Sequence, residues 1–365
     1  MKICVYAIAK NESKFISRWY NSVKEADYVC VLDTGSTDNT FEQLKKLNII
    51  TKQKRYKTFR FDTARNDSMK LIPDDADICV CVDLDEVFVS GWSKILKEKW
   101  QPNTTQARYR YTWNFNPDGS EGFVFMAEKI HKNKQFKWIN PVHEILQQSQ
   151  NFNNNIINIP EIQLNHYADI NKPRSNYLPL LELAVKEDPN NDRNLHYLGR
   201  EYMFYKEYDK AIETLNKHLS LPTSVWKMER CASLRFIANC YKHKQDFTNQ
   251  EKHLLLALLE DNTSREPYFE LGVYYFEQQD YLKSAIYFNE MFKIKTRELS
   301  YISSPSCWSS LPHDYLSLCY YHLKKYNLAI THSNYAIKLN PTDERLKNNL
   351  KIFQNCTKIM KNNEK

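Results

Sequence analysis

Four residues, Asp83-Leu84-Asp85-Glu86, put three carboxylates within one turn of chain, directly after an apolar run. Carboxylate oxygens are hard donors. An Asp-x-Asp pair therefore suits Mg²⁺ or Mn²⁺, and an ion held there would bridge to phosphates. Asp-x-Asp alone is also what a strand ending in solvated acids at a turn looks like. The preceding residues separate the two. Ile78 to Val82 (ICVCV) is apolar throughout, mostly β-branched or cysteine, and Pro73-Asp74-Asp75 lies before it. That is the pattern of a short strand buried on both faces. A buried strand that delivers acids at its C-terminal end places them where open α/β sheets bind ligands.

Three further clusters sit at similar places. Lys2 to Ala9 (KICVYAIA) reads as a strand, ends in Lys10-Asn11-Glu12, and passes into a helix over Ser13 to Val23 with Phe15, Ile16, Trp19 and Val23 on one face. Tyr28 to Leu32 (YVCVL) is the next strand, followed by Asp33-Thr34-Gly35-Ser36-Thr37-Asp38 and a helix over Thr40 to Leu47. Gly35 permits a tight turn there, and Ser36 or Thr37 can cap the helix. Phe59 and Phe61 look like a short strand, and Asp62-Thr63-Ala64-Arg65-Asn66 opens another helix. An arginine near a helix start can contact phosphate or make a surface ion pair. Strands alternating with helices over about 85 residues imply a parallel sheet with right-handed crossovers.

Ala9-Lys10-Asn11-Glu12, Asp33 to Asp38, Ala64-Arg65-Asn66 and Asp83-Leu84-Asp85-Glu86 occur in the order and spacing of family 2 glycosyltransferases. This resembles the branch in which a GT-A domain precedes tetratricopeptide repeats. The resemblance implies an α/β, Rossmann-like, mainly parallel GT-A domain over 1–172 and an all-α repeat domain over 173–365. It places Asn11, Glu12 and Asp33 around the nucleotide's base and ribose, and Asp83 against the ribose or the sugar. It gives Asp85 to a Mn²⁺ or Mg²⁺ on the diphosphate; Arg65, near its helix start, is the candidate to assist the leaving group. Thr34 stands where many members carry a second Asp that contacts uracil.

Gln106 to Trp113 and Phe123 to Ile130 read as paired strands around Asn116-Pro117-Asp118-Gly119. His143-Glu144, within FKWINPVHEI, resembles the His-Glu pair of the same branch. An inverting transferase needs a carboxylate or imidazole to take the acceptor's proton. Glu144 is the candidate base, with His143 orienting it or binding metal; a structural pair at a hairpin end is the alternative. Asn165-His166-Tyr167 resembles the next family element, which makes His166 a late metal ligand, a phosphate contact or a buried structural histidine. Trp138 either stacks on a sugar or packs.

From about residue 175 the period is helical and repeats. Leu198-Gly199, Tyr202, Tyr208, Ala211 and Leu215 fit one helix pair. Ala238, Tyr241, Leu254 and Ala257 fit a weaker second; Leu271-Gly272, Tyr275, Tyr281, Ser284-Ala285 and Phe288 a third; Leu316, Tyr320, Tyr326, Ala329 and Ala336 a fourth. Tyr177 to Pro189 reads as a half-repeat, Ser303 to Pro312 as a loop that interrupts the spacing, and Lys338 to Lys361 as a polar capping helix. A helix pair cannot bury its face alone, so neighbours must stack. Such an array holds a protein acceptor or partner, makes a homodimer, or simply supports its neighbour.

Composition bounds the rest. The 365 residues are 42% hydrophobic and 13% aromatic, with a net charge of +7 dispersed among acids, which argues against nucleic acid as a partner. Nine cysteines form no C-x-x-C pair, and four sit in strand-like runs, as reduced thiols of a cytoplasmic protein would. No run reaches the ~20 apolar residues of a transmembrane helix. The expected function is therefore metal-dependent, inverting transfer from a nucleotide-sugar, a UDP-sugar first, of the hexosyl or N-acetylhexosaminyl kind, to a glycan or protein. The alternative is a repeat-based adaptor with an inactive first domain. A nucleotidyltransferase fits less well, because Met1 to Ser13 lacks the glycines of a phosphate loop.

Overall fold

The computed structural model describes residues 1–169 and 177–363. Contacts divide the chain into two compact units, Met1–Glu187 with Leu299–Tyr301, and Asp188–Glu298 with Ile302–Lys365. The boundary expected at 172/173 lies outside the described residues.

The first unit runs β1 (Ile3–Ala9), α1 (Ile16–Val23), β2 (Tyr28–Asp33), α2 (Thr40–Lys46), β3 (Ile50–Gln53), α3 (Phe61–Met69) and β4 (Ile78–Cys81). It continues through β5 (Glu86–Phe88), α4 (Trp92–Lys99), β6 (Gln106–Thr112), β7 (Val124–Lys132), β8 (Phe136–Ile139), β9 (Ile145–Gln148), β10 (Ile156–His166) and α5 (Tyr177–Glu187). One sheet has the order β3-β2-β1-β4-β7-β6-β10-β5, and β8 and β9 form a separate hairpin. Strands β3, β2, β1 and β4 are parallel, β7 is antiparallel to both neighbours, β10 is parallel to β6, and β5 is antiparallel to β10. This is the mainly parallel GT-A-type sheet. The chain leaves β1 in one direction for β2 and β3 and in the other for β4. The strand order therefore switches beside β1, and the ligand crevice of such a sheet opens at the C-terminal ends of β1 and β4.

Period-2 alternation sorts the sheet's two faces. Ile3, Val5, Ala7 and Ala9 pack on one side with Trp19, Val31, Val80, Trp92 and Leu96. Cys4 and Tyr6 pack on the other with Cys30, Cys79, Cys81 and Trp138. These four cysteines are free and buried. The expected strand at Phe59 and Phe61 is absent; Phe61 is the first residue of α3, after an extended Arg60. The edge position is taken by β3 instead, whose residues Ile50 to Gln53 are nearly all exposed.

The second unit is helical. Its pairs are α6 (Asp192–Phe204) with α7 (Tyr208–Ser220), α8 (Lys227–His243) with α9 (Phe247–Glu260), α10 (Glu266–Glu277) with α11 (Tyr281–Met291), and α12 (Leu311–His322) with α13 (Tyr326–Leu339). Helix α14 (Glu344–Asn363) follows them. Each pair turns through three residues. In every pair the middle residue of that turn, Lys206, Gln245, Gln279 or Lys324, is left-handed. Where the helices of a pair come closest, two glycines are needed. A Cβ on Gly199 would lie 2.5 Å from Leu215 Cγ, and one on Gly272 would lie 2.8 Å from Phe288 Cζ. The expected loop at Ser303 to Pro312 holds a short 3₁₀ turn, Pro305–Trp308, and α12 begins within it. No helix among the described residues is long and apolar enough to cross a membrane.

Candidate active site

The β1 and β2 ends form a single knot of polar side chains. Asn11 is left-handed, with φ 57°. Its Oδ1 accepts from Thr37 N at 2.7 Å, and its N donates to Ser36 Oγ at 2.9 Å. Glu12 is buried, and its N donates to Thr40 Oγ1. Asp33 is fully buried at the end of β2. Its Oδ1 accepts from Gly35 N and Ser36 N at 2.9 Å each and from Gln53 Nε2 at 3.0 Å. Gly35 adopts φ 106° there, which a residue with a Cβ rarely can. Asp33 Oδ2 has no hydrogen-bond partner among the described residues. A buried carboxylate oxygen left without a donor costs stability, so a ligand hydroxyl or amide would be favoured at it.

A second network lies at the end of β4. Arg65, on α3, is buried and reaches inward. Its terminal nitrogens donate to Asp83 Oδ1 at 2.8 Å and Oδ2 at 3.1 Å, and its Nε donates to Glu144 Oε1. Lys129, on β7, donates to Asp83 Oδ2 at 3.1 Å and to Glu86 Oε1 at 2.7 Å. Glu86 Oε1 also accepts from Tyr111 OH, and Glu86 Oε2 accepts from Asp83 N, both at 2.8 Å. The buried Glu86 thus ties the Asp83 turn to β6 and β7. Burial pushes the Asp83 carboxyl up, but Arg65 and Lys129 outweigh it and hold the group well below the usual carboxylate range. Burial wins at Glu86, whose carboxyl is raised despite Lys129.

The third group joins Asp85 to His166, at the end of β10. His166 Nε2 lies 3.4 Å from Asp85 Oδ2, and His166 Nδ1 lies 2.9 Å from the carbonyl of Trp113. A carbonyl only accepts, so Nδ1 carries a proton and, in the neutral ring, the Nε2 lone pair is left for Asp85's side. Trp113 packs against the imidazole at 4.5 Å between centroids, and Tyr167 N donates to Asp85 O at 2.8 Å. Burial lowers the His166 pKa, yet the Asp85 carboxylate outweighs it and raises it overall. Among the described residues no group of three or more His, Cys, Asp and Glu side chains is gathered for a metal.

The residues singled out from sequence thus fall into three neighbouring groups at the sheet's C-terminal edge: Asn11, Glu12 and Asp33; Arg65, Asp83 and Glu144; and Asp85 with His166. His143 follows another course. It is left-handed, with φ 50°, and its ring lies 5.8 Å from Tyr177. Arg65 directs its guanidinium to Asp83 and Glu144. Trp138 is 4% exposed and donates through Nε1 to Tyr6 OH, so it packs; Trp113, 45% exposed, is the open indole. Lys129 and Tyr111 were not singled out. A lone lysine on an alternating strand looks like an outward-facing residue, and nothing in Ala127-Glu128-Lys129-Ile130 marks it otherwise.

The family model for glycosyl transferase family 2 matches residues 4–164. No curated protein matches the chain. Similar solved structures cover the other half. The APC/C hetero-tetramer Cut9-Hcn1 is 17% identical at a TM-score of 0.40, covering 51% of this chain and 34% of that one. The chain therefore spans about a third of that relative. The Pseudomonas aeruginosa protein pilF is 12% identical at 0.38, covering 48% and 71%, and YrrB, a TPR protein, is 11% identical at 0.40, covering 49% and 84%. Residues 4–164 thus carry a glycosyl transferase family 2 domain, and a helical array follows it in the chain.

Proposed function

We propose that the first unit transfers a sugar from a nucleotide-sugar, a UDP-sugar first, with inversion and with Mn²⁺ or Mg²⁺ as cofactor. The observation that carries this reading is the facing pair of Asp85 and His166 beside the buried Asp83 network. Two donors 3.4 Å apart, one a carboxylate and one an imidazole whose other nitrogen is fixed by a carbonyl, fit one divalent ion. Two protein ligands are enough where substrate phosphates and water complete the shell. A divalent ion bound there would neutralise the departing diphosphate.

The chain's own residues do the remaining work. Asp33 Oδ2 offers an unpartnered acceptor to the nucleoside. Asp83, held by Arg65 and Lys129, is fixed in orientation and accepts one donor hydroxyl. Glu144 gives Oε1 to Arg65 and keeps Oε2 uncommitted among the described residues. That oxygen takes the proton of the acceptor hydroxyl as its oxygen bonds to the anomeric carbon and the bond from that carbon to the diphosphate breaks. The acceptor is a glycan or a protein side chain.

The test is a panel of nucleotide-sugars with Mn²⁺, scored for release of the nucleoside diphosphate, wild type beside Asp85→Ala. Slow transfer to water needs no acceptor. Release from one donor, abolished by chelation and in Asp85→Ala, is expected. No release from any donor, with no thermal stabilisation by UDP and Mn²⁺, would refute the proposal.

A further inference from the structure

The helical unit contains a cavity that the glycosyltransferase reading leaves unused. It measures about 380 Å³ and lies between the end of α11, the Pro305–Trp308 turn, α12 and α13. Its lining includes Phe292, Trp308 and Tyr335, the histidines His313 and His332, and further polar groups from Asn289, Ser309, Arg265 and Lys295, with no carboxylate. One wall exists only because the repeat spacing is interrupted: Trp308 comes from the inserted segment, where Arg265 lies 3.6 Å over its ring. Arg265 is itself fixed by the carbonyls of Ile294 and Cys307. His313 is stacked with Phe292 at 4.1 Å and with Tyr335 at 5.1 Å, both on nearly parallel planes. Tyr335 is 51% exposed.

The two histidines define the polar chemistry. His313 Nδ1 lies 3.0 Å from His332 Nδ1. Burial, followed by the neighbouring His332, Arg265 and Lys295, pushes His313 down to about 4, and burial lowers His332. Both rings are neutral at pH 7. In a hydrogen bond between two neutral Nδ1 atoms, the donating ring has a bare Nε2 and the accepting ring carries its proton on Nε2. The pair therefore presents one donor and one acceptor, and neither Nε2 has a protein partner among the described residues. A hydroxyl donates and accepts at once, whereas a carboxylate only accepts. The exposed Tyr335 ring beside such a pair matches the apolar face and hydroxyl rim of a pyranose ring, and the volume suits one or two such rings.

We propose that this cavity is a saccharide-binding subsite, separate from the catalytic crevice, that holds a pyranose unit against the exposed Tyr335 ring with its hydroxyls on the Nε2 atoms of His313 and His332. It stands on the second unit alone, so it survives or fails independently of whether the first unit transfers sugar.

The test uses the full chain, with ¹⁵N-labelled histidine, titrated with methyl glucoside, methyl N-acetylglucosaminide and methyl glucuronide, and with an acidic aromatic dipeptide as the contrasting probe. The expected result is saturation transfer to at least one glycoside together with a shift of the His313 and His332 Nε2 resonances. The dissociation constant should rise at least tenfold in His332→Phe, which keeps a ring and removes both nitrogens. Tyr335→Ala, at an exposed position, should weaken binding without altering the fold. The proposal is overturned by unmoved histidine resonances at saturating sugar, by unchanged affinity in His332→Phe and Tyr335→Ala, or by tighter binding of the dipeptide than of any glycoside.

Discussion

Gly272→Ala tests the packing on which the helical array depends. On an exposed helix the change would be favourable, since glycine costs about 1 kcal/mol relative to alanine. At Gly272 the new methyl would lie 2.8 Å from Phe288 Cζ and 2.9 Å from Cε1 and Cε2, well inside ordinary contact. Phe288 cannot swing away: it is fully buried among Ala285, Met291, Leu316 and Cys319. Nor can the helices part freely, because Ser284 Oγ donates to Gly272 O at 2.7 Å. Overpacking of this kind costs roughly 1–3 kcal/mol. The net expectation is a loss of about 1 kcal/mol, opposite in sign to the propensity effect. Repeat two supplies the control, since it carries Ala238 opposite Leu254 at the corresponding positions and buries both. Phe288→Leu alone leaves a void costing roughly 1–2 kcal/mol, but the double variant recreates the alanine–leucine pair. Urea unfolding followed by far-UV circular dichroism on the four proteins of the cycle should give a coupling of about 1–2 kcal/mol in favour of the double variant. Additivity within about 0.3 kcal/mol, or a stabilised Gly272→Ala, would refute the close approach.

Four further outcomes are expected. Arg65→Met leaves Asp83 and Glu144 without their shared cation and should cost about 3–5 kcal/mol in chemical denaturation, whereas Arg65→Lys, which cannot serve both carboxylates in the same plane, should keep part of the stability and lose most of the turnover. Glu144→Gln should lower kcat about 10²- to 10⁴-fold with little change in donor KM; an equal loss in both would point to a structural role. His166→Gln should raise the Mn²⁺ concentration for half-maximal activity about 10- to 100-fold, read by metal titration of donor hydrolysis. Burial pushes His131 down to about 4 and His196 to about 3, so each stays neutral in the fold while its unfolded counterpart takes a proton below about 6.5. Their contribution is complete above that pH and is lost as pH falls toward 4, by about 2 kcal/mol per histidine at pH 5. His131→Asn should flatten the acid limb of the first unit's stability, and an unchanged limb would exclude His131 as its source.

The sequence is most legible where a single physical demand acts alone. Ile78 to Cys81 must be buried on both sides and says so; the glycine and alanine positions of the repeats recur because paired helices must touch. It is least legible where two demands overlap. Ile50 to Gln53 is an edge strand with exposed side chains, so it carries no alternation to find. Phe59 and Phe61 mimic alternation, but Phe61 packs on Phe59 from the first turn of a helix, at 4.9 Å. The direction of Arg65 is a tertiary fact: the same residue at a helix start would face phosphate if Asp83 and Glu144 were elsewhere. Lys129 is legible only after β7 is known to lie beside β4. His313 and His332 are nineteen residues apart and meet through the pairing of α12 with α13.

The distribution of sulfur has a consequence for experiment. Eight of the nine cysteines are buried and one, Cys356, is half-buried, and all are free. Burial raises the Cys81, Cys231 and Cys240 thiols to about 12, so the reactive thiolate is scarce while the fold is closed. Alkylation at these sites therefore waits for opening. Since Cys4, Cys30, Cys79 and Cys81 belong to one unit and Cys231, Cys240, Cys307 and Cys319 to the other, timed labelling read by peptide mass becomes two independent clocks within one chain, each reporting how often its own half opens to solvent.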